Sequence, residues 1–253
     1  MHRVAITGIG LLSPAGSTLE AYWKGITCGR SAVRTVTHFD TSDMPVHAGG
    51  EVDDADIFAV IPEASARRMD RTALLGLIAT RRALEDAGLA DGPRNGLRVG
   101  LLIGSGLGPC ETLAESYLSY NTRGWSGLRP TTVPRSMYNV PASTISMECG
   151  LKGGHHVVAA ACASSAIAMS DACDWIRSGR ENVVVTGGCD SPLIPSMYGA
   201  WINLRVLSKN PVPEKASRPF DRTRDGMVLA EGAGMFIFEE MEHARARGAR
   251  IYA

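Results

Sequence analysis

Two kinds of apolar segment alternate along the chain, and together they predict an α/β protein. Short apolar runs without helical spacing predict buried strands over residues 3–12, 97–103, 156–161, 182–186 and 234–239. Longer segments with apolar residues on one side predict helices over residues 18–26, 71–87, 163–176 and 241–247. Strands that are apolar throughout are typical of a covered sheet. The pattern therefore predicts a parallel or mixed five-stranded sheet with helices on both faces.

Local signals mark where the helices begin and end. Ser17 and Glu20 have the spacing of a capping box, which predicts the start of the first helix. Asp70 is the predicted N-cap of the long helix over 71–87, and Gly88 is its predicted stop. These signals set the boundaries of the two helices independently of their apolar spacing.

The segments between these elements differ in character. Residues 31–62 are polar and predict an irregular surface excursion, residues 189–218 predict a second loop-rich excursion, and residues 89–96 predict a loop. Residues 109–150 form a long mixed connection, which predicts a lid, a pocket wall or an oligomer contact. The stretch 250–252 has the character of a further strand beginning.

Composition narrows the class of protein. The 253 residues carry 26 basic and 26 acidic side chains, so we expect no nucleic-acid or membrane-surface partner. No apolar run is long enough to span a membrane, and the N-terminus does not have the pattern of a signal peptide. The six cysteines contain no CxxC pair, which predicts free thiols, no metal site and a cytoplasmic location.

A glycine pair near the N-terminus does not predict a nucleotide cofactor. Gly8 and Gly10 follow the first predicted strand, but Ser13 and Pro14 stand where a dinucleotide-binding loop would continue into a helix. We therefore expect no cofactor.

Cys162 is the strongest candidate for chemistry. It lies between the predicted strand 156–161 and the predicted helix 163–176, at the positive end of the helix dipole. This position favours the thiolate, which is the nucleophilic form of cysteine. A buried structural cysteine is the more common interpretation of a thiol in an apolar segment. The neighbours Ala161, Ala163, Ser164 and Ser165 are all small, and they leave room for a substrate to reach the sulfur.

Motifs along nearly the whole chain resemble the N-terminal half of the elongating β-ketoacyl-[acyl carrier protein] synthases and of type II polyketide ketosynthases. The matching motifs are VAITGIG (4–10), GSGLG (104–108), GLKG (150–153), AACASS (160–165), VTGG (185–188), ASRPFD (216–221) and RDGMVLAEGAG (224–234). No single glycine cluster among them is specific for this family. Their order and spacing around a cysteine at the nucleophile position are specific for it.

The resemblance implies a fold, a reaction and partners. It implies a thiolase-like α-β-α-β-α sandwich, with residues 1–253 forming its N-terminal domain. It implies that Cys162 accepts an acyl chain from acyl carrier protein, and that malonyl carrier protein then loses CO2 and condenses with it. The product would be a fatty acid or a polyketide. The resemblance also implies a homodimer, or a heterodimer with a related subunit.

The resemblance assigns further roles to other residues. Leu107 and Met227 match positions that line the acyl pocket, although core packing alone would also place a leucine at 107. Three arginines match positions that meet the acidic carrier protein, where a solvated helix face is the alternative; they are Arg67, Arg68 and Arg205. A loop that supports the active site, or a structural ion pair, is expected at Phe220, Asp221, Arg224 and Asp225.

The chain departs from the family pattern in three places. Ala160 and Ala163 stand where elongating synthases commonly have threonine, and Met227 stands where they often have phenylalanine. The family's two catalytic histidines, its lysine and its glycine-rich loop belong to a second half, which we expect to lie outside these residues. His155 and His156 precede Cys162 by up to about 20 Å of extended chain, so they are poor candidates for its base.

Three hypotheses follow. The first is a condensing enzyme of which this chain supplies the N-terminal half; alone it would be acylated poorly and would not condense. The second is a non-catalytic partner like a chain-length factor, or an inactive half-length fragment; Cys162 argues against the partner, because such subunits often carry glutamine there. The third is a thiolase-like acyltransferase that uses coenzyme A thioesters, which the carrier-protein motifs disfavour.

Overall fold

The fold is described from a computed structural model of residues 1–93 and 96–253. The predicted loop over 89–96 includes Arg94 and Asn95, which lie outside the described residues. The strands are β1 (Val4–Leu12), β2 (Arg34–Thr35), β3 (Ala48–Gly50), β4 (Gly100–Gly104), β5 (His155–Val158), β6 (Val183–Asp190), β7 (Leu229–Ala230) and β8 (Gly232–Glu240). The α-helices are α1 (Leu19–Thr27), α2 (Asp54–Phe58), α3 (Glu63–Ala66), α4 (Arg71–Asp86), α5 (Cys110–Arg123), α6 (Thr132–Ser136), α7 (Val140–Cys149), α8 (Ser164–Arg177), α9 (Pro195–Asn203) and α10 (Met241–Ala246).

The main sheet is mixed and five-stranded, as predicted, and its strand order is β1-β8-β6-β4-β5. β4 runs parallel to β5 and β6, whereas β8 runs antiparallel to β6 and β1. The register of β1 against β8 shifts between Ile6 and Gly8. At this shift the Tyr252 N–H donates to the Ile6 carbonyl at 2.8 Å, and the Ile6 N–H donates to the Ala253 carbonyl at 3.0 Å. The predicted strand at 250–252 is therefore a short backbone contact with β1.

Helices α4 and α7 cover one face of the sheet. Leu75, Ile78 and Ala79 of α4 are fully buried in the largest apolar cluster of the chain. Glycine in β1 allows this helix to approach closely, because a Cβ at Gly10 would lie 2.0 Å from the Ala79 carbonyl oxygen. Helix packing therefore accounts for the glycine pair that begins at Gly8.

Among the described helices, α8 alone packs over the other face, where it lies on β4, β6 and part of β8. Ala168, Ala172 and Ile176 are its fully buried residues. Val4 and Phe236, on the neighbouring strands, are only partly buried. The chain therefore has one closed sheet face and one partly open face.

The predicted irregular excursion over 31–62 contains regular structure, so this part of the prediction is wrong. Residues 31–62 include β2, β3 and α2, and β2-β3-β7 form a small second sheet. Its strands have two or three residues, which is too short for a periodic pattern to show. Residues 189–218 contain α9, whose Tyr198 is buried and donates its hydroxyl to the Ala48 carbonyl at 2.9 Å.

One helix start was predicted correctly and the other was not. The Asp70 carboxylate accepts the Thr72 N–H at 3.0 Å, which confirms Asp70 as the N-cap of α4. The cap of α1 is Thr18, whose hydroxyl accepts the Ala21 N–H, because the helix begins one residue later than the Ser17 capping box requires.

The connection over 109–150 is largely helical and contains α5, α6 and α7. All six cysteines lie within the described residues; Cys28 and Cys162 are exposed, Cys173 is half-buried, and the others are buried. Among the described residues, no helix has the length and apolar character needed to cross a membrane.

Candidate active site around Cys162

Cys162 is exposed and lies in the turn between β5 and α8. The strand before it was predicted to be buried over 156–161, and this is wrong in bounds and in burial. β5 ends at Val158, and His155 and His156 are exposed, because β5 is the edge strand and bonds only to β4 among the described strands. Ala161 then has φ +49°, a left-handed conformation that an L residue rarely adopts. The strained residue directly precedes the thiol.

Ser164, at the start of α8, holds this turn together. Its buried hydroxyl donates to the Ala161 carbonyl at 2.7 Å and accepts the Ala160 N–H at 2.8 Å. The Ala163 and Ser164 N–H groups donate to the carbonyls of Ala160 and Ala161, both at 3.1 Å. The first N–H groups after Cys162 therefore have partners in the turn and not in the helix.

Two glycines place the start of α8 directly on the sheet. A Cβ at Gly104, the last residue of β4, would lie 2.2 Å from the Ser164 carbonyl carbon and from the Ser165 nitrogen. A Cβ at Gly188, in β6, would lie 2.7 Å from the Ser165 Cβ. Any side chain at Gly104 would push α8, and the turn that carries Cys162, away from the sheet.

Cys162 opens onto a groove of about 660 Å³ on the partly open face of the sheet. Its walls come from β1, β6, β8, α1 and the start of α8. The polar residues on its walls include Ser13, Asp190 and Glu231. No histidine is among the described residues that line it, so the imidazoles of this chain do not supply a base to Cys162 there.

Asp190, which the sequence analysis did not select, connects the end of β6 to the turn after β4. Its carboxylate accepts the Ser105 hydroxyl at 2.8 Å and the N–H groups of Gly106 and Leu107 at 2.8 and 3.0 Å. Leu107 is half-buried on this turn and is not among the described residues that line the groove of Cys162. A Cβ at Gly106 would lie 3.4 Å from the Ala161 carbonyl oxygen, so the turn lies against the residue that precedes Cys162.

A buried ion pair supports another wall of the groove. The Arg71 guanidinium donates to both carboxylate oxygens of Glu231, at 2.7 and 2.8 Å, and Ser191 donates to the same carboxylate at 2.7 Å. Burial alone would lower the pKa of Arg71, but the hydrogen bonds to Glu231 and Asp54 outweigh it and raise the pKa. Arg71 therefore stays charged and anchors the groove wall to the start of α4.

Met227 and the predicted supporting loop lie outside the lining of this groove. Met227 exchanges backbone hydrogen bonds with Val206 and Ser208, and its side chain is exposed. Phe220 is fully exposed with φ +66°. Asp225 accepts the Ser208 hydroxyl at 2.6 Å, and this bond holds its pKa below the ordinary value.

The rest of that loop is folded on itself. Asp221 accepts the Thr223 hydroxyl and N–H at 2.7 and 2.6 Å, and these bonds lower the pKa of its carboxyl group. Arg224 donates to the Asp221 carbonyl at 2.8 Å. Asp221 and Arg224 are thus bonded within the loop, and neither lines the groove of Cys162.

The three predicted docking arginines lie on the surface. Arg67 follows α3 and pairs with Glu63, with its Nε 2.9 Å from the carboxylate, and Arg68 is exposed beside it. Arg205 follows α9, is exposed, and has φ +61°. None of the three lines the groove of Cys162.

Known relatives match essentially the whole chain. The 3-oxoacyl-[acyl-carrier-protein] synthase 2 of Synechocystis sp. is 36% identical over 99% of this chain and 60% of its own length. The solved ishigamide ketosynthase/chain length factor superposes with a TM-score of 0.89 and 29% identity, over 100% of this chain and 62% of that chain. A type II PKS ketosynthase, solved in complex with its acyl-carrier protein and bound to the hexaketide, gives a TM-score of 0.86 and 26% identity, over 100% and 61%.

The chain spans about 60% of the length of the curated relatives it matches. The likeness to the solved ketosynthases confirms the predicted thiolase-like fold of the α/β class. A family model described as "Beta-ketoacyl synthase, N-terminal domain" matches residues 1–244. The chain therefore belongs to the β-ketoacyl synthase family and carries its N-terminal domain.

Proposed function

We propose that this chain supplies the nucleophile-bearing half of a carrier-protein-dependent β-ketoacyl synthase, with Cys162 as the residue that is acylated. The observation that carries the proposal is the position of Cys162. The thiol is exposed, follows a strained left-handed residue and lies at the start of a helix beside an open groove. Small neighbours and the glycines beneath the turn leave the sulfur accessible to a thioester.

The proposed reaction has two stages. The Cys162 thiolate attacks the carbonyl carbon of an acyl thioester, and the carrier-protein thiol leaves, so that one thioester bond forms as another breaks. In this proposal the Cys162 N–H stabilises the negative oxygen of the tetrahedral intermediate. Malonyl carrier protein then loses CO2, its enolate carbon attacks the acyl-enzyme, and the Cys162 thiolate is released as the new carbon–carbon bond forms.

The proposed acyl pocket and supporting loop follow from the resemblance to the family. Neither Leu107 nor Met227 lines the groove among the described residues, and Leu107 is the better supported of the two because its turn lies against Ala161. The other proposed residues lie on one exposed loop region; they are Phe220, Asp221, Arg224, Asp225 and Met227. In this proposal they border the site once a second half is present.

The proposed carrier-protein surface consists of Arg67, Arg68 and Arg205. All three are exposed, and an acidic carrier protein would be attracted to such a surface at low ionic strength. A ketosynthase with the same fold has been solved in complex with its acyl-carrier protein, which supports a carrier protein as the partner of this chain.

A second half is proposed to cover the open face of the sheet and to bring the missing base. Helix α1 has no buried residue, and Leu19, Trp23 and Ile26 present apolar surface to solvent. A contiguous apolar patch of this kind is typical of an interface. In this proposal residues 1–253 form the N-terminal domain, and catalysis requires the remaining length that the relatives have.

A dimer is proposed along β5. The outer edge of this strand presents backbone N–H and C=O groups that can pair with another strand. A second copy of the chain, or a related ketosynthase-family subunit, is the proposed partner at this edge.

Turnover with two classes of thioester tests the proposed function. The full-length protein that carries this chain is incubated with malonyl carrier protein and an acyl thioester of either carrier protein or coenzyme A. We expect ping-pong kinetics, a preference for carrier-protein thioesters, and loss of product in Cys162→Ala but not in Cys28→Ala, which removes another exposed thiol. Activity that persists in Cys162→Ala would favour a non-catalytic partner role. Turnover on coenzyme A esters alone would favour a thiolase-like acyltransferase.

A further inference from the structure

The turn after β4 is held by a side chain that lies on a different strand. In the sheet, Gly104 of β4 is paired with Gly188 of β6, and β6 continues two residues further to Asp190. After Gly104 the chain leaves β4 and turns, and the Asp190 side chain faces this turn. Two backbone N–H groups and one hydroxyl converge on the Asp190 carboxylate, at 2.8 to 3.0 Å.

Other bonds fix the same turn from its remaining sides. The Ser105 hydroxyl accepts the Gly108 N–H at 2.9 Å, and Thr72 of α4 donates to the Gly108 carbonyl at 3.1 Å. Tyr138 donates to the Ser105 carbonyl at 2.6 Å. Among these groups, Asp190 alone binds the Leu107 N–H, so the direction of the Leu107 side chain depends on it.

We propose that Asp190 is a positioning residue that sets the acyl-chain preference of the Cys162 site by fixing Leu107. The inference rests on the proposed function, because it takes Leu107 as part of the acyl pocket. The turn lies against Ala161, and Asp190 itself lines the groove with Cys162. Leu107 itself does not line that groove among the described residues. With Leu107 in the acyl pocket, as the proposed function has it, a shift of its side chain changes the space available to an acyl chain held on the thiol.

A carboxylate is required at this position for a specific reason. Both of its oxygens accept, and each receives at least one N–H or O–H. An amide has only one accepting oxygen, so in Asp190→Asn the NH2 group faces a donor of the turn and leaves that donor unsatisfied. The substitution keeps the size of the side chain, but it removes one of its two accepting oxygens.

Glu51 offers a matched control. Its buried carboxylate also accepts two N–H groups and one hydroxyl, from Thr37 and His38, at 2.8 to 2.9 Å, and it has a longer contact of 3.4 Å with the Arg34 guanidinium. It directly follows β3 of the second sheet and does not line the groove of Cys162. Glu51→Gln therefore reproduces the loss of an acceptor without touching the Leu107 turn.

The first measurement is hydrogen exchange on the 253-residue chain. Asp190→Asn should raise the exchange rates of the Gly106 and Leu107 amides by about tenfold or more, because their acceptor is lost. Glu51→Gln should leave them unchanged. Exchange at these amides that is the same in Asp190→Asn and in the parent would overturn the inference, whatever the enzyme does.

The second measurement is the acyl-chain profile of the full-length protein. The ratio of kcat/KM for long and short acyl carrier-protein substrates should change by about tenfold in Asp190→Asn, in the same direction as in Leu107→Ala. The double variant should show no further change, and Glu51→Gln should keep the parent profile. Asp190→Glu, which keeps the charge, gives a second readout and should show a smaller shift.

The outcomes separate this inference from the proposed function. An unchanged chain-length profile in Asp190→Asn and Asp190→Glu, with Cys162 still acylated, overturns the role of Asp190 alone. An equal change in Glu51→Gln also overturns it, because the effect would then be general destabilisation. A parent protein in which Cys162 is never acylated contradicts the proposed function, and with it the role of Asp190 in acyl-chain preference.

Discussion

The two faces of the main sheet differ in how completely they are covered. On the face of α4 and α7, a large cluster of apolar side chains is fully buried, and glycines in β1 let the helix backbone touch the strand. On the face of α8, a smaller cluster is buried, and the neighbouring strands and α1 leave apolar groups partly exposed. Cys162 and its groove lie on this second face. The closed face thus stabilises the domain, while the open face carries the proposed nucleophile and the proposed surface for a partner.

The closed face should be the more sensitive of the two to loss of apolar volume. Ile78 in α4 is fully buried, so Ile78→Ala should lower the free energy of unfolding by about 3 kcal/mol, through lost burial and a cavity. Ile167 on α8 is 40% exposed, and Ile167→Ala should cost less than about 1 kcal/mol. Urea denaturation measures both. Equal costs would mean that the two faces are not packed differently.

The contact between α8 and the sheet should depend on Gly104. Gly104→Ala would place a methyl group 2.2 Å from the backbone of Ser164 and Ser165, so we expect a loss of about 2 kcal/mol and a displaced Cys162 turn. Gly234→Ala is the control, because a Cβ there meets open space. Urea denaturation and the alkylation rate of Cys162 report the two effects. A Gly104→Ala variant with parent stability and parent alkylation would contradict this packing.

The closed face should also carry a pH-dependent contribution from Glu239. Burial alone would raise the pKa of this carboxyl group, but hydrogen bonds from Arg247, Thr7 and His243 outweigh it and hold the pKa below its ordinary value. A carboxyl group whose folded pKa is depressed adds stability above its unfolded pKa, near 4.5, and loses it as the pH falls through the folded value.

Glu239→Gln should therefore lower stability at pH 7 and flatten its decline below about pH 4.5. Glu242→Gln, which removes an exposed partner of Arg245, should keep the slope of the parent. Thermal unfolding at several pH values checks both. If the stability of Glu239→Gln declines with falling pH as steeply as that of the parent, another group causes the acid sensitivity.

The apolar surface of α1 should matter for association and not for folding. Trp23 is 65% exposed, so Trp23→Ser should change the free energy of unfolding by less than about 0.5 kcal/mol. The same change should reduce self-association of the 253-residue chain, measured by sedimentation velocity, because it removes apolar surface from the open face. Unchanged self-association would mean that a different surface of the chain mediates it.

Sequence patterns predicted the closed face better than the open one. Helix α4 has a side-chain cap at Asp70 and regular apolar spacing, which are local signals, and both are present in the structure. The strand before Cys162 was misjudged, because an apolar run does not reveal whether its strand is central or at an edge. The strained conformation of Ala161 and the short second sheet likewise have no local signature in the sequence.

The site was only partly predictable for a similar reason. Cys162 was found from its position between a strand and a helix, and from small neighbours that are close in sequence. Asp190 was missed because the groups it binds lie 83 to 85 residues away. Its place at the carboxyl end of a strand beside β4 was the available signal, since adjacent parallel strands end near one another.

The most direct test of the central claim is to locate the acyl group by mass spectrometry. The full-length protein is incubated with an acyl carrier-protein thioester, digested, and its peptides are mapped for the added acyl mass. We predict the adduct on the peptide that contains Cys162, and its loss in Cys162→Ala. An adduct on Cys28, or an unmodified Cys162 under conditions in which the protein forms product, would contradict the account.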